Sequence, residues 1–155
     1  MRLRLPATSR HILPLAAIWF TASLVPAAAG TETAYEVVAD RIEAPLAGLV
    51  GDAERGRRVV LDRAVGNCLI CHTVPEPNEP FMGNLGPPLA GVGRTLSVAQ
   101  LRLRVVDAAR LNEKTIMPPY HRTSGLNRVA PQYRGKPILS AQEVEDVVAY
   151  LVSLQ

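Results

Sequence analysis

Residues 68–72 read C-L-I-C-H, and no other stretch restricts the fold of this chain as tightly. Cys68 and Cys71 are its only cysteines, and His72 is one of three histidines. C-x-x-C-H is the spacing of covalent haem attachment. Two thiols three positions apart on one helical turn reach the two vinyl groups of a haem edge. The adjacent imidazole then lies beneath the iron as a proximal ligand. Such a chain folds around a flat cofactor, and with both thiols committed it keeps none to hold a substrate. Competing readings fit less well. A zinc set of Cys68, Cys71, His72 and His121 would place adjacent residues around one tetrahedral ion, which suits it poorly. A thioredoxin-like dithiol needs a βαβ context that the pattern lacks. A plain disulfide suits an exported chain but leaves the neighbouring histidine unexplained.

The first 29 residues read as a secretory signal peptide. Arg2, Arg4 and Arg10 form a basic start, Ile12–Val25 an apolar run, and Ala27-Ala28-Ala29 a cleavage site before Gly30. The apolar run, with Pro14 inside it, is short for a membrane span of ~20 residues. The expected product is periplasmic, without a membrane anchor after cleavage. A twin-arginine pair is missing, so the general secretory route is expected. Three of the 17 basic residues belong to this leader and none of the 14 acidic ones, which leaves 14 against 14 in the rest. That balance argues against nucleic-acid binding, which needs a basic face. The remaining ~125 residues suit one domain.

Residues 30–50 show no helical period and read as an N-terminal extension draped on the domain or on a partner. The domain proper is expected over residues 51–155. Asp52 is a candidate N-cap. Ala53, Gly56, Val60 and Ala64 follow at helical spacing, with Arg55, Arg57, Arg58 and Asp62 facing out. Gly56 costs helix stability, which implies a second helix crossing closely there. Gly66 is a candidate C-terminal cap. Pro, Asn and Gly make residues 73–86 a loop, and Gly86-Pro87-Pro88-Leu89 and Gly91-Val92-Gly93-Arg94 compact turns. Ser97–Gln100 is a capping box that opens a helix with Val98, Leu101, Val105 and Ala108 on one face. Residues 112–125 return to loop. Ser140–Glu143 is a second capping box, and Val144, Val147, Val148 and Leu151 form the apolar face of a last helix.

An electron-transfer haem needs a second, non-labile iron ligand. The candidates are Met82, Met117 and His121, because Lys114 and Lys136 would have to lose a proton. Met82 lies only ten residues past His72, a short path round a haem edge. Met117 lies forty-five residues on, in a loop stiffened by Pro118 and Pro119. Met117 ranks first, with His121 in reserve. A His/Met pair raises the reduction potential and leaves no open position, which favours electron transfer over oxygen chemistry.

Taken in order, these features resemble a class I cytochrome c: Gly56 in a first helix, Cys68–His72, the Gly86–Leu89 turn, Met117-Pro118, and Ala149-Tyr150-Leu151 in a last helix. The resemblance implies a small all-α fold wrapped around one covalently bound haem c, with the first and last helices crossed. It implies that the Pro87 carbonyl accepts the second ring N–H of His72, that Leu89 touches the haem face and that Arg94 neutralises a propionate. The strings G-N-C-L-I-C-H, G-P-P-L-A-G-V-G, L-R-L-R-V-V-D, T-I-M-P, Y-R-G-K-P-I-L and V-E-D-V-V-A-Y-L are similar to one family, SoxX. That family supplies the monohaem subunit of the periplasmic thiosulfate-oxidising Sox system. The implied partner is a SoxA-type cytochrome subunit. Their complex is an L-cysteine S-thiosulfotransferase, which joins thiosulfate to a carrier-protein cysteine. This chain would have no substrate chemistry of its own and would pass electrons to a small acceptor cytochrome. The alternative is a free-standing class I shuttle to a terminal oxidase.

Overall fold

A computed structural model describes residues 32–155, so the expected signal peptide lies outside the described residues. Asp52 stays extended and its carboxylate accepts the Arg55 N–H at 2.7 Å, which opens α1 (Ala53–Leu61). A short helix α2 (Val92–Thr95) follows the haem-motif segment. The helices α3 (Val98–Asp107) and α4 (Ala141–Ser153) each begin with a complete capping box. In these, Ser97 and Gln100, and Ser140 and Glu143, satisfy one another's backbone donors reciprocally. Single 3-10 turns occur at Leu46–Gly48, Cys68–Ile70, Ala108–Arg110 and Pro131–Tyr133. Among the described residues there is no strand, only an isolated bridge between Val38 and Arg41. No described helix is long and apolar enough to cross a membrane. The described residues form an all-α fold, as the resemblance implied.

α1 and α4 cross in close contact, and α3 packs against α4. Gly56 sits at the crossing, where an added Cβ would run into the Asp146 carbonyl. The crossing thus brings the two backbones closer than any side chain on α1 would permit. Val60, Leu101, Val105, Val144, Val147 and Leu151 fill the core between the three helices.

The structure corrects three sequence readings. α1 ends at Leu61, short of Ala64 and Gly66. The Asp62 carboxylate accepts the Ala64 and Val65 N–H groups at 2.7 and 3.2 Å and turns the chain there. Val98 is not part of the core face of α3: it is 46% exposed, while Ala99, Leu103 and Val106 are buried. α3 is covered on two sides, so its buried surface is wider than one stripe. The second cover is the N-terminal extension, with Ile42 and Leu46 each 1% exposed. The Ile42 N–H donates to the Ala99 carbonyl at 3.1 Å, and the Leu46 N–H to Glu145 Oε1 at 2.9 Å. Ile42 and Leu46 are therefore core, while residues 43–45 between them stay exposed, which the scattered short apolar groups did not reveal.

Candidate haem site

Beyond the turn at Asp62, Asn67 takes the left-handed conformation (φ 48°). Asparagine tolerates it better than most residues. The 3-10 turn at Cys68–Ile70 follows, with Leu69 buried as its anchor. The Cys68 carbonyl accepts both the Cys71 and the His72 N–H, at 3.2 and 3.0 Å. That tight turn puts Cys68, Cys71 and His72 on the wall of one cavity. Burial pushes the Cys68 thiol up to about 11, with the neighbouring Tyr120 hydroxyl pulling the other way. Without haem it is thus a thiol at neutral pH and not the thiolate that exchanges disulfides or binds metal.

His72 is held from two directions. Its Nδ1 lies 2.7 Å from the Pro87 carbonyl oxygen. A carbonyl only accepts, so Nδ1 carries the proton and Nε2 keeps its lone pair, the tautomer an iron ligand needs. A Cβ on Gly86 would collide with the imidazole, so only glycine lets the backbone pass that close to the ring. Two backbone hydrogen bonds pin the turn beside the attachment segment: Gly86 N–H to the Cys71 carbonyl at 2.8 Å and Leu89 N–H to the Thr73 carbonyl at 2.9 Å.

Two cavities meet at this wall. The outer, about 510 Å³, opens between Cys68–His72 and residues 115–118. The inner, about 210 Å³, is lined largely by apolar side chains of α3 and α4 and by Leu89. Cys68, His72, Pro87, Met117 and Tyr120 belong to both. The outer volume is of the size cofactor sites have. Two free thiols, an imidazole with a free Nε2 and a thioether sulfur around one apolar space suit a thioether-linked haem.

The other predicted residues separate clearly. Met117 lines both cavities. Met82 lines neither, and its Sδ accepts the Val74 N–H at 3.2 Å. His121 is fully buried away from both. Its Nδ1 donates to the Leu139 carbonyl at 2.9 Å and its Nε2 accepts the Thr33 N–H at 2.9 Å. With both ring nitrogens taken, the reserve role for His121 falls away. Leu89 lines the inner cavity. Arg94 does not: it is exposed on α2 and lines neither cavity.

Arg104 does line the inner cavity. Its Nη1 donates to the Gln100 carbonyl at 3.0 Å, and no carboxylate lies within ion-pair distance of it among the described residues. The signal was present in the sequence, since Arg104 shares the helical face of Leu101, Val105 and Ala108. Tyr120, also unassigned from sequence, donates its hydroxyl to the Gly66 carbonyl at 2.8 Å.

The sequence model of the family described as Cytochrome c matches residues 53–155. The chain belongs to the cytochrome c family. Among solved structures, this cytochrome c is similar to a chain of the crystal structure of SoxXA from P. pantotrophus. The two are 39% identical, with a TM-score of 0.72, and the match covers 77% of this chain and 93% of that one. Together with the six sequence strings, that similarity makes it a SoxX-type cytochrome c. No curated protein matches it significantly. A cytochrome c of this type carries covalently bound haem c, and a single C-x-x-C-H limits it to one.

Proposed function

We propose that this cytochrome c is the electron-transfer subunit of a periplasmic thiosulfate-oxidising complex, exported by residues 1–29 and paired with a SoxA-type cytochrome. The observation that carries the reading is the cavity pair shared by His72 and Met117, in a chain without a spare thiol. Bound haem supplies a one-electron iron couple. Everything else is the work of the chain. Cys68 and Cys71 would bind the haem through thioethers, and His72 and Met117 would hold its iron. Pro87 orients the imidazole, and Leu89 with the α3 and α4 side chains excludes water. Arg104, rather than Arg94, places a positive charge in that apolar surround. A His/Met site without a free position raises the potential and admits no substrate to the iron. The sulfur chemistry therefore belongs to the partner, and this subunit takes electrons from the partner's haem and delivers them to a small acceptor cytochrome.

Residues 53–155 would serve equally in a free shuttle to an oxidase, so the test is association. Expressed with its neighbouring genes, the holoprotein is expected to co-purify with a second cytochrome and to be required for thiosulfate-dependent reduction of an acceptor cytochrome. A monomer that is dispensable in that assay is the free shuttle. The ligand assignment is tested separately. Met117→Ala is expected to keep the haem attached, to lower the potential and to lose the Met–Fe(III) absorption band, whereas retention of the band would exclude Met117.

A further inference from the structure

Tyr120 lies three residues beyond Met117, and its ring forms part of the wall of both cavities. It is 7% exposed and held at three points. Its N–H donates to the Val105 carbonyl on α3 at 3.3 Å, and its own carbonyl accepts the Leu139 N–H at 2.8 Å. Its hydroxyl donates to Gly66, which lies 54 positions earlier in the chain and two before Cys68. Gly66 in turn sits close to α1, where an added Cβ would run into the Val59 carbonyl. The hydroxyl is thus a strut between the segment that carries the thiols and the loop that carries the thioether. Burial, with Cys68 beside it, pushes the phenol up, so the hydroxyl remains a donor across the working pH range.

The link from this strut to Met117 is stiff. Only Pro118 and Pro119 intervene, and each pyrrolidine ring fixes its φ. A shift at Tyr120 is therefore passed on to residue 117 instead of being absorbed by slack. We infer that Tyr120 is a positioning residue for the distal ligand, its Gly66 hydrogen bond setting how far the Met117 sulfur stands from the haem-attachment wall. The inference rests on Met117 being that ligand.

The test uses the holoprotein with imidazole as a competing ligand for ferric iron. Tyr120→Phe keeps the ring and removes only the hydroxyl. The matched control is Tyr150→Phe: the Tyr150 hydroxyl donates to Glu76 Oε1 at 2.9 Å, and Tyr150 lines neither cavity. Tyr120→Phe is expected to bind imidazole about tenfold more tightly than the parent, consistent with the loss of one buried hydrogen bond, and to lose the Met–Fe(III) band at lower temperature. Tyr150→Phe is expected to bind imidazole like the parent, whatever it does to global stability. Pro119→Ala, which leaves the strut but loosens the link, is expected to shift imidazole binding in the same direction as Tyr120→Phe. Equal imidazole affinity in Tyr120→Phe, Tyr150→Phe and the parent overturns the inference. Should Tyr120→Phe fail to mature, an unchanged Pro119→Ala overturns it. If Met117→Ala retains the band, the ligand assignment itself has failed. If it loses the band while Tyr120→Phe matches the parent, only the positioning role has failed.

Discussion

Arg102 and Glu145 meet as a buried fork, with Nε 2.7 Å from Oε1 and Nη2 3.0 Å from Oε2. The pair also serves the backbone of the extension. Arg102 Nη1 donates to the Ile42 carbonyl at 2.7 Å, and Glu145 Oε1 accepts from Leu46. Arg102→Leu leaves a buried carboxylate unpaired and is expected to cost about 3–5 kcal/mol in denaturant unfolding of the holoprotein. Replacing both, with Arg102→Met and Glu145→Leu, is expected to recover only part of that loss, because the Ile42 and Leu46 backbone groups stay unsatisfied. Full recovery would mean that those two groups find water.

Gly56→Ala tests the helix crossing. On helix propensity alone alanine would gain about 1 kcal/mol. The Asp146 carbonyl occupies the space its methyl needs, so α1 and α4 must separate. The expected net result is a loss of about 1–3 kcal/mol and a lower Tm by calorimetry. A higher Tm would show that the crossing is slack.

Acid should weaken the same contact. Burial pushes the Asp146 carboxyl up, but hydrogen bonds from Arg55, the Asp52 N–H and Gln142, with the Arg55 charge, bring it net below the usual range. Glu76 is held below that range chiefly by Arg57, with some opposition from burial and further help from Tyr150. Carboxylates depressed in the folded state stabilise it fully above their unfolded values and lose that contribution as pH falls through the folded ones. Unfolding free energy is therefore expected to drop from about pH 4 downward. Asp146→Asn should lower stability at neutral pH and flatten that acid slope. An unchanged slope would place the acid sensitivity elsewhere.

His121→Leu separates a structural histidine from an iron ligand. The variant strands the Thr33 N–H and the Leu139 carbonyl and is expected to cost about 2 kcal/mol. Faster amide exchange over residues 33–42 and an intact Met–Fe(III) band should accompany it. A parent holoprotein without that band, whose spectrum changes on His121→Leu while the extension stays protected, would return His121 to the iron.

The parts that local rules govern were readable in the sequence. Asp52, Ser97 and Ser140 cap helices by reaching three residues ahead, and Gly56 signals a crossing because nothing else favours glycine there. Cys68–His72 carries its chemistry in its spacing. What stayed hidden depends on distant partners. The extension is anchored through Thr33 to His121 and through Leu46 to Glu145, 88 and 99 positions apart. His121 therefore reads as a spare ligand until its two nitrogens are seen occupied. Arg102 and Arg104 are neighbours on α3 with similar sequence surroundings. One meets a buried carboxylate and the other lines the haem cavity, a difference set by helix rotation against α4 and not by either residue.

The crossing of α1 and α4 has a consequence in time. Its two halves are residues 53–61 and 141–153, nearly the whole length of the domain apart. A chain emerging from its N-terminus cannot close that contact until residues 141–153 are free. Cys68 and Cys71 lie between the two, so through most of the chain's emergence nothing from α4 covers them. The order of elements along this polypeptide keeps both thiols within reach of the attachment reaction until the fold shuts behind the haem.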